Sequence, residues 1–314
     1  MRAVVLDQFG SADHLHLRDD VDKPSPRRGE VLVHVHATSV NPLDTKVRKQ
    51  GGRYGVEPPA ILGYDVSGVV EAVGEDVDSL VEGDAVFYTA AINAHGAYAE
   101  YHVAEAGDVV VKPDNVEHEE AAAIPLAACT AYQALVDRAR VQVGETVLIH
   151  GGGGVGHFAV QIAEAAGARV VVVGNGAMED TLLDLGADVF VDYKRGGAVS
   201  AVLDLTDGLG ADVVFDTVGG TTLVDSIDAL APLGRMVSIV GDATGDFGKA
   251  YQKNAAFFPM MMKRDGGMMD LVAGLVERGL VAPLVADVLP LADAAEAHRR
   301  VEAGGVHGKL VLTP

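Results

Sequence analysis

The stretch Thr146-Val147-Leu148-Ile149-His150-Gly151-Gly152-Gly153-Gly154-Val155-Gly156-His157-Phe158-Ala159-Val160-Gln161-Ile162-Ala163 runs a short apolar strand through a glycine loop into an amphipathic helix. Gly151, Gly153 and Gly156 satisfy G-x-G-x-x-G in the context that gives the pattern meaning. The first glycine makes the tight turn, the second lets the backbone approach a pyrophosphate, and the third lets helix and strand pack closely. The helix N-terminus then offers unpaired N–H donors to phosphate. Further short apolar runs follow at Arg169–Val173, Val189–Asp192, Asp212–Asp216 and Arg235–Val240, with helical stretches between them. Unalternating runs of this kind are strands buried on both faces. They predict an α/β doubly wound parallel sheet of the Rossmann type.

The second strand ends at Gly174-Asn175-Gly176. A site built for NAD wants an acid there, on the ribose 2′-hydroxyl. Gly174 leaves room for a 2′-phosphate and predicts NADPH. Lys194 and Arg195, after the third strand, are the nearest cations, while Glu179 and Asp180 weigh the other way.

On the N-terminal side the texture is β. Val31–Ala37 alternates, and Val66–Gly74, Asp84–Tyr88, Ala97–Val103 and Val109–Pro113 follow between Gly, Pro and Asp punctuation. Short strands with glycine turns predict a barrel-like domain. Residues 119–139 are Ala- and Leu-rich and read as helix. On the C-terminal side, Met268–Arg278 reads as helix and Gly308–Leu312 as a strand returning to the first domain. The expected division is residues 1–122 plus 266–314 for the β domain and 123–265 for the dinucleotide domain.

Of 314 residues, 49% are hydrophobic and only 5% aromatic, so the core is built from Val, Ala, Leu and Ile. No apolar run approaches the roughly 20 residues of a membrane span, and Asp7 interrupts the N-terminal apolar run where an export signal would continue it. Cys129 is the only cysteine, which excludes an intrachain disulfide and a cysteine zinc cluster. These features predict a cytoplasmic enzyme. Asp and Glu number 45 against 24 Lys and Arg, a net charge of -21. Such a chain disfavours nucleic acid and anionic membranes as partners. The charge fits a halophilic source and equally an ordinary acidic protein.

Beyond the glycine loop, the chain carries Asn41-Pro42-Leu43-Asp44-Thr45, Leu62-Gly63-Tyr64-Asp65-Val66-Ser67-Gly68, Gly96-Ala97-Tyr98-Ala99-Glu100-Tyr101, Thr130-Ala131-Tyr132-Gln133-Ala134-Leu135, Val214-Phe215-Asp216-Thr217-Val218-Gly219-Gly220 and Gly308-Lys309-Leu310-Val311-Leu312. With these motifs it resembles, over essentially its whole length, the zinc-independent quinone oxidoreductases of the medium-chain dehydrogenase/reductase superfamily, the group of zeta-crystallin. The resemblance implies a GroES-like β-barrel domain built from both chain ends, a Rossmann domain between, a cofactor in the cleft and a homodimer. It implies cofactor contacts from Thr130, Gly151, Gly153, Gly154, Val155, Gly156, Gly174, Asn175, Tyr193, Lys194, Thr217, Val218, Val240, Gly241 and Lys309. Zinc-dependent relatives place a cysteine near Asn41 and Gly-His-Glu at Gly63-Tyr64-Asp65; both are replaced here, so no metal is expected. The glycine loop departs from the family in opening with Gly151-Gly152 instead of alanines. Lys46 stands where some quinone reductases carry a tyrosine, and the only nearby tyrosine is Tyr54.

No paired carboxylates, Ser-His-Asp pattern or nucleophile elbow stands out. Hydride addition to a quinone gives an aromatic phenolate that takes its proton from water, so orientation suffices. An unsaturated carbonyl needs a donor near its enolate, and Tyr64 or Asn41 can supply one. Asp44 is a further catalytic candidate, with a capping role as its alternative. Three functions follow: quinone reduction with NADPH, alkenal or enone reduction with NADPH, and a structural or regulatory dinucleotide-binding role. His34 and His36 share a strand face, but without further ligands they read as a solvated face. Cys129 reads as a small core residue and the Met260–Met262 run as apolar lining.

Overall fold

The computed structural model describes residues 1–241 and 243–314. Two compact units divide the chain. One holds Met1–Ala127, Arg264–Gly279 and Pro283–Pro314, the other Ala128–Lys263 with Leu280–Ala282.

In the first unit, β1 (Ala3–Leu6) pairs antiparallel with β2 (Leu15–Arg18) and with β4 (Ala60–Ile61), which follows the long β3 (Glu30–Val40). The meander continues through β5 (Asp65–Val73), β6 (Ala85–Thr89), β7 (Tyr101–Glu105) and β8 (Val110–Val111). Along β3, Val33 and Val35 are buried while His34 and His36 are exposed, as a strand with one wet face requires. Helix α1 (Pro42–Gln50) leaves β3 at once. Asn41 is its N-cap, Pro42 sits where a missing N–H is harmless, and Asp44 completes a capping box. Residues 97–99 do not extend β7 as expected; Ala97 and Tyr98 donate instead to the carbonyls of Gly63 and Leu62.

The expected helix over 119–139 is three pieces: His118–Ala122, Pro125–Tyr132 and a wider π-type turn at Gln133–Arg138. Pro125 has no N–H to donate backwards, so it ends one helix and opens the next.

The second unit is a six-stranded parallel sheet. Its strands are β9 (Thr146–His150), β10 (Arg169–Gly174), β11 (Val189–Asp192), β12 (Ala211–Asp216), β13 (Leu230–Ser238) and β14 (Ala256–Pro259), in the order β11-β10-β9-β12-β13-β14. Every residue of β9 is buried, because β10 and β12 flank it and helices cover both faces. The chain runs outward from β9 through β10 to β11, then restarts at β12. That reversal is a topological switch point, where sheets of this kind bind ligands at the carboxyl ends of their strands. Leu148, Val171, Val191, Val214, Leu223 and Met236 belong to the core around it.

Finally β15 (Val285–Pro290) and β16 (Lys309–Thr313) rejoin the first unit, giving the sheet order β15-β16-β3-β5-β6-β8 with β7 also on β3. The antiparallel pairing of Leu310 with Val40 brings Lys309 beside Asn41.

Candidate functional site

Gly151 sits directly after β9 with φ +94°, a left-handed conformation that a side chain resists. A Cβ there would also collide with the Thr217 hydroxyl, which donates to the His150 carbonyl at 2.7 Å. Helix α2 (Gly156–Ala165) follows the loop, and a Cβ on Gly156 would collide with the Gly151 carbonyl oxygen. Only glycine lets α2 start so close to β9. The N-cap of α2 is Val155, whose side chain caps nothing. The His157 amide of the first helical turn is bonded to the Gly153 carbonyl, and the Gly156 and Phe158 amides, which have no intrahelical acceptor, are the donors a pyrophosphate can use. Gly153 turns its carbonyl to the His157 ring and amide, at 2.8 and 3.1 Å.

The neighbouring strand ends are braced by groups that the sequence pattern does not single out. Asp216, fully buried, accepts from the Val218 and Gly219 amides and the Ser238 hydroxyl, each at 2.9 Å. Val218 is thereby held exposed at the end of β12. His150 bonds the Ser226 hydroxyl at 2.7 Å, and burial pushes its pKa down to about 4, so it is a neutral imidazole at pH 7. Beyond β13, Val240 donates to Ser238 Oγ at 3.3 Å, and a Cβ on Gly241 would meet open space. Thr130 is buried in the Pro125–Tyr132 helix. Asn175 spends its side chain on the Ala177 amide, capping a short turn. Tyr193 is exposed, its amide bonded to the Gly174 carbonyl at 3.1 Å.

In the first unit, Asn41, Asp44 and Tyr64 are 2%, 0% and 1% exposed. Asn41 Nδ2 donates to Asp65 Oδ2 at 2.7 Å, and its amide oxygen accepts from Lys309. Asp65, also fully buried, accepts from Ser39 and from the Leu126 amide, and lies 3.5 Å from the Lys309 ammonium. The family resemblance implies a cofactor contact from Lys309; the structure places its ammonium between Asn41, Asp65 and the Val40 carbonyl. Asn41 likewise caps α1 and orients this cluster, and Asp44 accepts the Asn41 N–H at 2.5 Å. The Tyr64 hydroxyl makes only a long 3.5 Å contact with the Ile92 carbonyl, and burial holds its pKa well above the usual phenol range.

Ser39 and Asp65 are members of this buried cluster that residue spacing alone does not reveal. Asp65 stands in the Leu62–Gly68 motif, but a single acid at the start of a strand has no local signature. His34 and His36 stack with Tyr101 and His118 on the wet face of β3. Among the described residues, no group of three or more His, Cys, Asp or Glu is placed to hold a metal ion. Cys129 is buried.

Residues 27–114 match the alcohol dehydrogenase GroES-like domain family, and residues 185–312 match the zinc-binding dehydrogenase family. The human quinone oxidoreductase is 32% identical over 324 residues, which span 99% of this chain and 97% of that protein. The chain belongs to the quinone oxidoreductase family of medium-chain dehydrogenases/reductases. Its fold is the alcohol-dehydrogenase fold, with a GroES-like domain and a Rossmann domain. The solved structure of an NAD-dependent alcohol dehydrogenase matches with TM-score 0.94 at 34% identity over the full length of both chains. A mycobacterial protein complexed with NADPH matches with TM-score 0.88 at 33% identity, again over both full chains. A nicotinamide cofactor is therefore the family's common element, and the loop between β9 and α2 has the shape and donors to fit one.

Proposed function

We propose that the chain is an NADPH-dependent quinone reductase that works without a metal. The observation that carries this reading is the Gly151–Gly156 loop at the switch point of the parallel sheet, with no side-chain cap on the helix start and with Gly151 and Gly156 placed where a Cβ would collide. When bound, NADPH supplies the hydride. The chain's part is to hold pyrophosphate on the α2 amides, to line the strand ends with Thr217, Val218, Val240 and Gly241, and to leave space at Gly174, with Tyr193, Lys194 and Arg195 nearby, for the adenosine ribose and its 2′-phosphate. Quinone reduction asks no side chain for a proton, since the hydroquinone anion is stable enough to draw one from water. Enone reduction does ask for a donor, and Asn41, Asp44 and Tyr64 are all buried and largely engaged within the first unit. That difference favours quinones as the acceptor class.

Steady-state NADPH oxidation with a panel of quinones and enones tests this. Quinones should be turned over, and exhaustive chelation should leave the rate unchanged. Tyr64→Phe should change quinone reduction by less than about threefold, against the roughly hundredfold loss expected of a true oxyanion donor. A stoichiometric zinc requirement, or activity confined to enones and abolished by Tyr64→Phe, would overturn the reading. We also place the enzyme in the cytoplasm, with a halophilic surface. We assign it as a homodimer paired through β14, the edge strand of the parallel sheet, where Phe257 and Met261 are exposed. Light scattering at the mass of a single chain would refute that assembly.

A further inference from the structure

We infer that Asp192 weakens the preference for the 2′-phosphate and keeps NADH usable by this enzyme beside NADPH. The inference rests on the dinucleotide reading above. Gly174 and Asp192 are paired in register at the ends of β10 and β11. The position that carries the ribose-binding acid in NAD enzymes of this fold is the end of the second strand, here Gly174. That position has little room for a side chain, because a Cβ on Gly174 would stand 3.0 Å from the Phe190 ring and 3.3 Å from Leu182. The acid comes instead from the next strand. A Cβ on Gly176 would stand 2.8 Å from Asp192 Oδ2, so this carboxylate lies against backbone just past the end of β10. With Gly174 and Gly176 lacking side chains, nothing from β10 screens it.

The carboxylate is otherwise engaged only at its edges. Oδ1 accepts the Lys194 amide at 3.0 Å, which folds the turn after β11. The Arg195 guanidinium reaches Oδ2 at 3.9 Å; the Asp192 side chain is 16% exposed but that of Arg195 is 85% exposed, and a long pair with one partner in solvent is weak and screened. The Lys194 ammonium sits 5.7 Å from the Tyr193 ring centre, on the same turn. Between residues 175 and 192 there is no lysine or arginine, while Glu179, Asp180, Asp184, Asp188 and Asp192 are all acids. A ribose 2′-hydroxyl beside Asp192 offers a donor to an acceptor-only group. A 2′-phosphate brings up to two further negative charges to the same place, and Lys194 and Arg195 must offset both the phosphate and Asp192. Gly174 sets no acid against the phosphate, whereas Asp192 sets one beside it from the next strand. The outcome is a chain that accepts both coenzymes.

The test is the dissociation constant of NAD⁺ and of NADP⁺ for the resting protein, by calorimetric or fluorescence titration, in wild type, Asp192→Asn and Asp192→Glu. Asparagine keeps the oxygen that accepts the Lys194 amide, so the turn survives and only the charge goes. In Asp192→Asn the affinity ratio should move towards NADP⁺ by about tenfold, through tighter NADP⁺ and weaker NAD⁺. Asp192→Glu, which keeps the charge, should stay within about threefold of wild type. A shift below about threefold in Asp192→Asn, or one towards NAD⁺, would overturn the role of Asp192. Failure of the wild type to bind either dinucleotide would instead overturn the reading of the glycine loop.

Discussion

Asp44 shows how strongly a single buried group can depend on its surroundings. One carboxylate oxygen accepts the Asn41 N–H, and the other is buried with no hydrogen-bond partner among the described residues. Burial first, and then the Asp65 charge, push its pKa up to about 7, against the opposing pull of the Asn41 bond and the Lys309 ammonium. The sign of the consequence follows from linkage. In the unfolded chain Asp44 ionises near 4, in the fold near 7, so the folded state holds the extra proton between those values. Stability contributed by this residue therefore falls as pH rises from about 4 to 7, then levels. Asp44→Asn keeps an acceptor for the Asn41 amide and removes the ionisation. Its melting temperature relative to wild type should climb across pH 4–7 and plateau above, with a gain of up to about 4 kcal/mol. A difference that does not vary with pH would show that Asp44 titrates normally.

The β9–loop–α2 unit works because several short-range constraints coincide. The strand is buried on both faces, Gly151 must adopt positive φ, and Gly156 must pass under the Gly151 carbonyl. Gly153 lies between them, at the position where the G-x-G-x-x-G pattern brings the backbone to a pyrophosphate. A valine there adds a branched side chain to that approach. Gly153→Val should weaken dinucleotide binding by at least about a hundredfold, or roughly 3 kcal/mol, while the first unit keeps its β signature in circular dichroism. Unimpaired binding would move the phosphate site elsewhere. The same element explains why Pro125 divides the preceding helix while the glycine loop leaves α2 intact: proline removes a donor from a continuing helix, whereas glycine before a helix start removes nothing.

Taken together, the chain carries a net charge of -21 distributed along its length. Its described ion pairs are mostly exposed, as between Arg28 and Asp76 or Lys249 and Asp228, and such pairs contribute little each. A net charge of this size sets the acids against one another. Screening length falls from about 10 Å at 0.1 M salt to about 3 Å at 1 M, so the melting temperature should rise steadily from dilute buffer to molar KCl. A flat or falling profile would leave the acidity without a halophilic role. Acid acts from another direction. Burial holds His102, His118 and His150 near pKa 4 and His298 near 3. Each binds a proton in the unfolded chain below about 6.5 but not in the fold, so each removes stability as pH falls from 6.5 towards 4.

The parallel sheet and the glycine loop were legible in the chain because they rest on local rules: buried strands are short and uniformly apolar, and phosphate loops need glycine at fixed spacing; the strand expected at Arg235–Val240 instead runs from Leu230 to Ser238. The motifs at Asn41–Thr45 and Gly63–Gly68 pointed to the family in the same way. The edge strand β14 and the strand β15 escaped, since half-exposed residues at a sheet margin carry no distinctive pattern. What Asn41, Asp65 and Lys309 do to one another was decided only by the fold, which joins positions 24 and 268 residues from Asn41 in one buried cluster. The acid at the coenzyme's ribose end was likewise hidden. Counting along the chain leads to Gly174, but parallel pairing sets Asp192 beside it, because sheet register relates residues by hydrogen bonding between strands and not by their spacing in sequence.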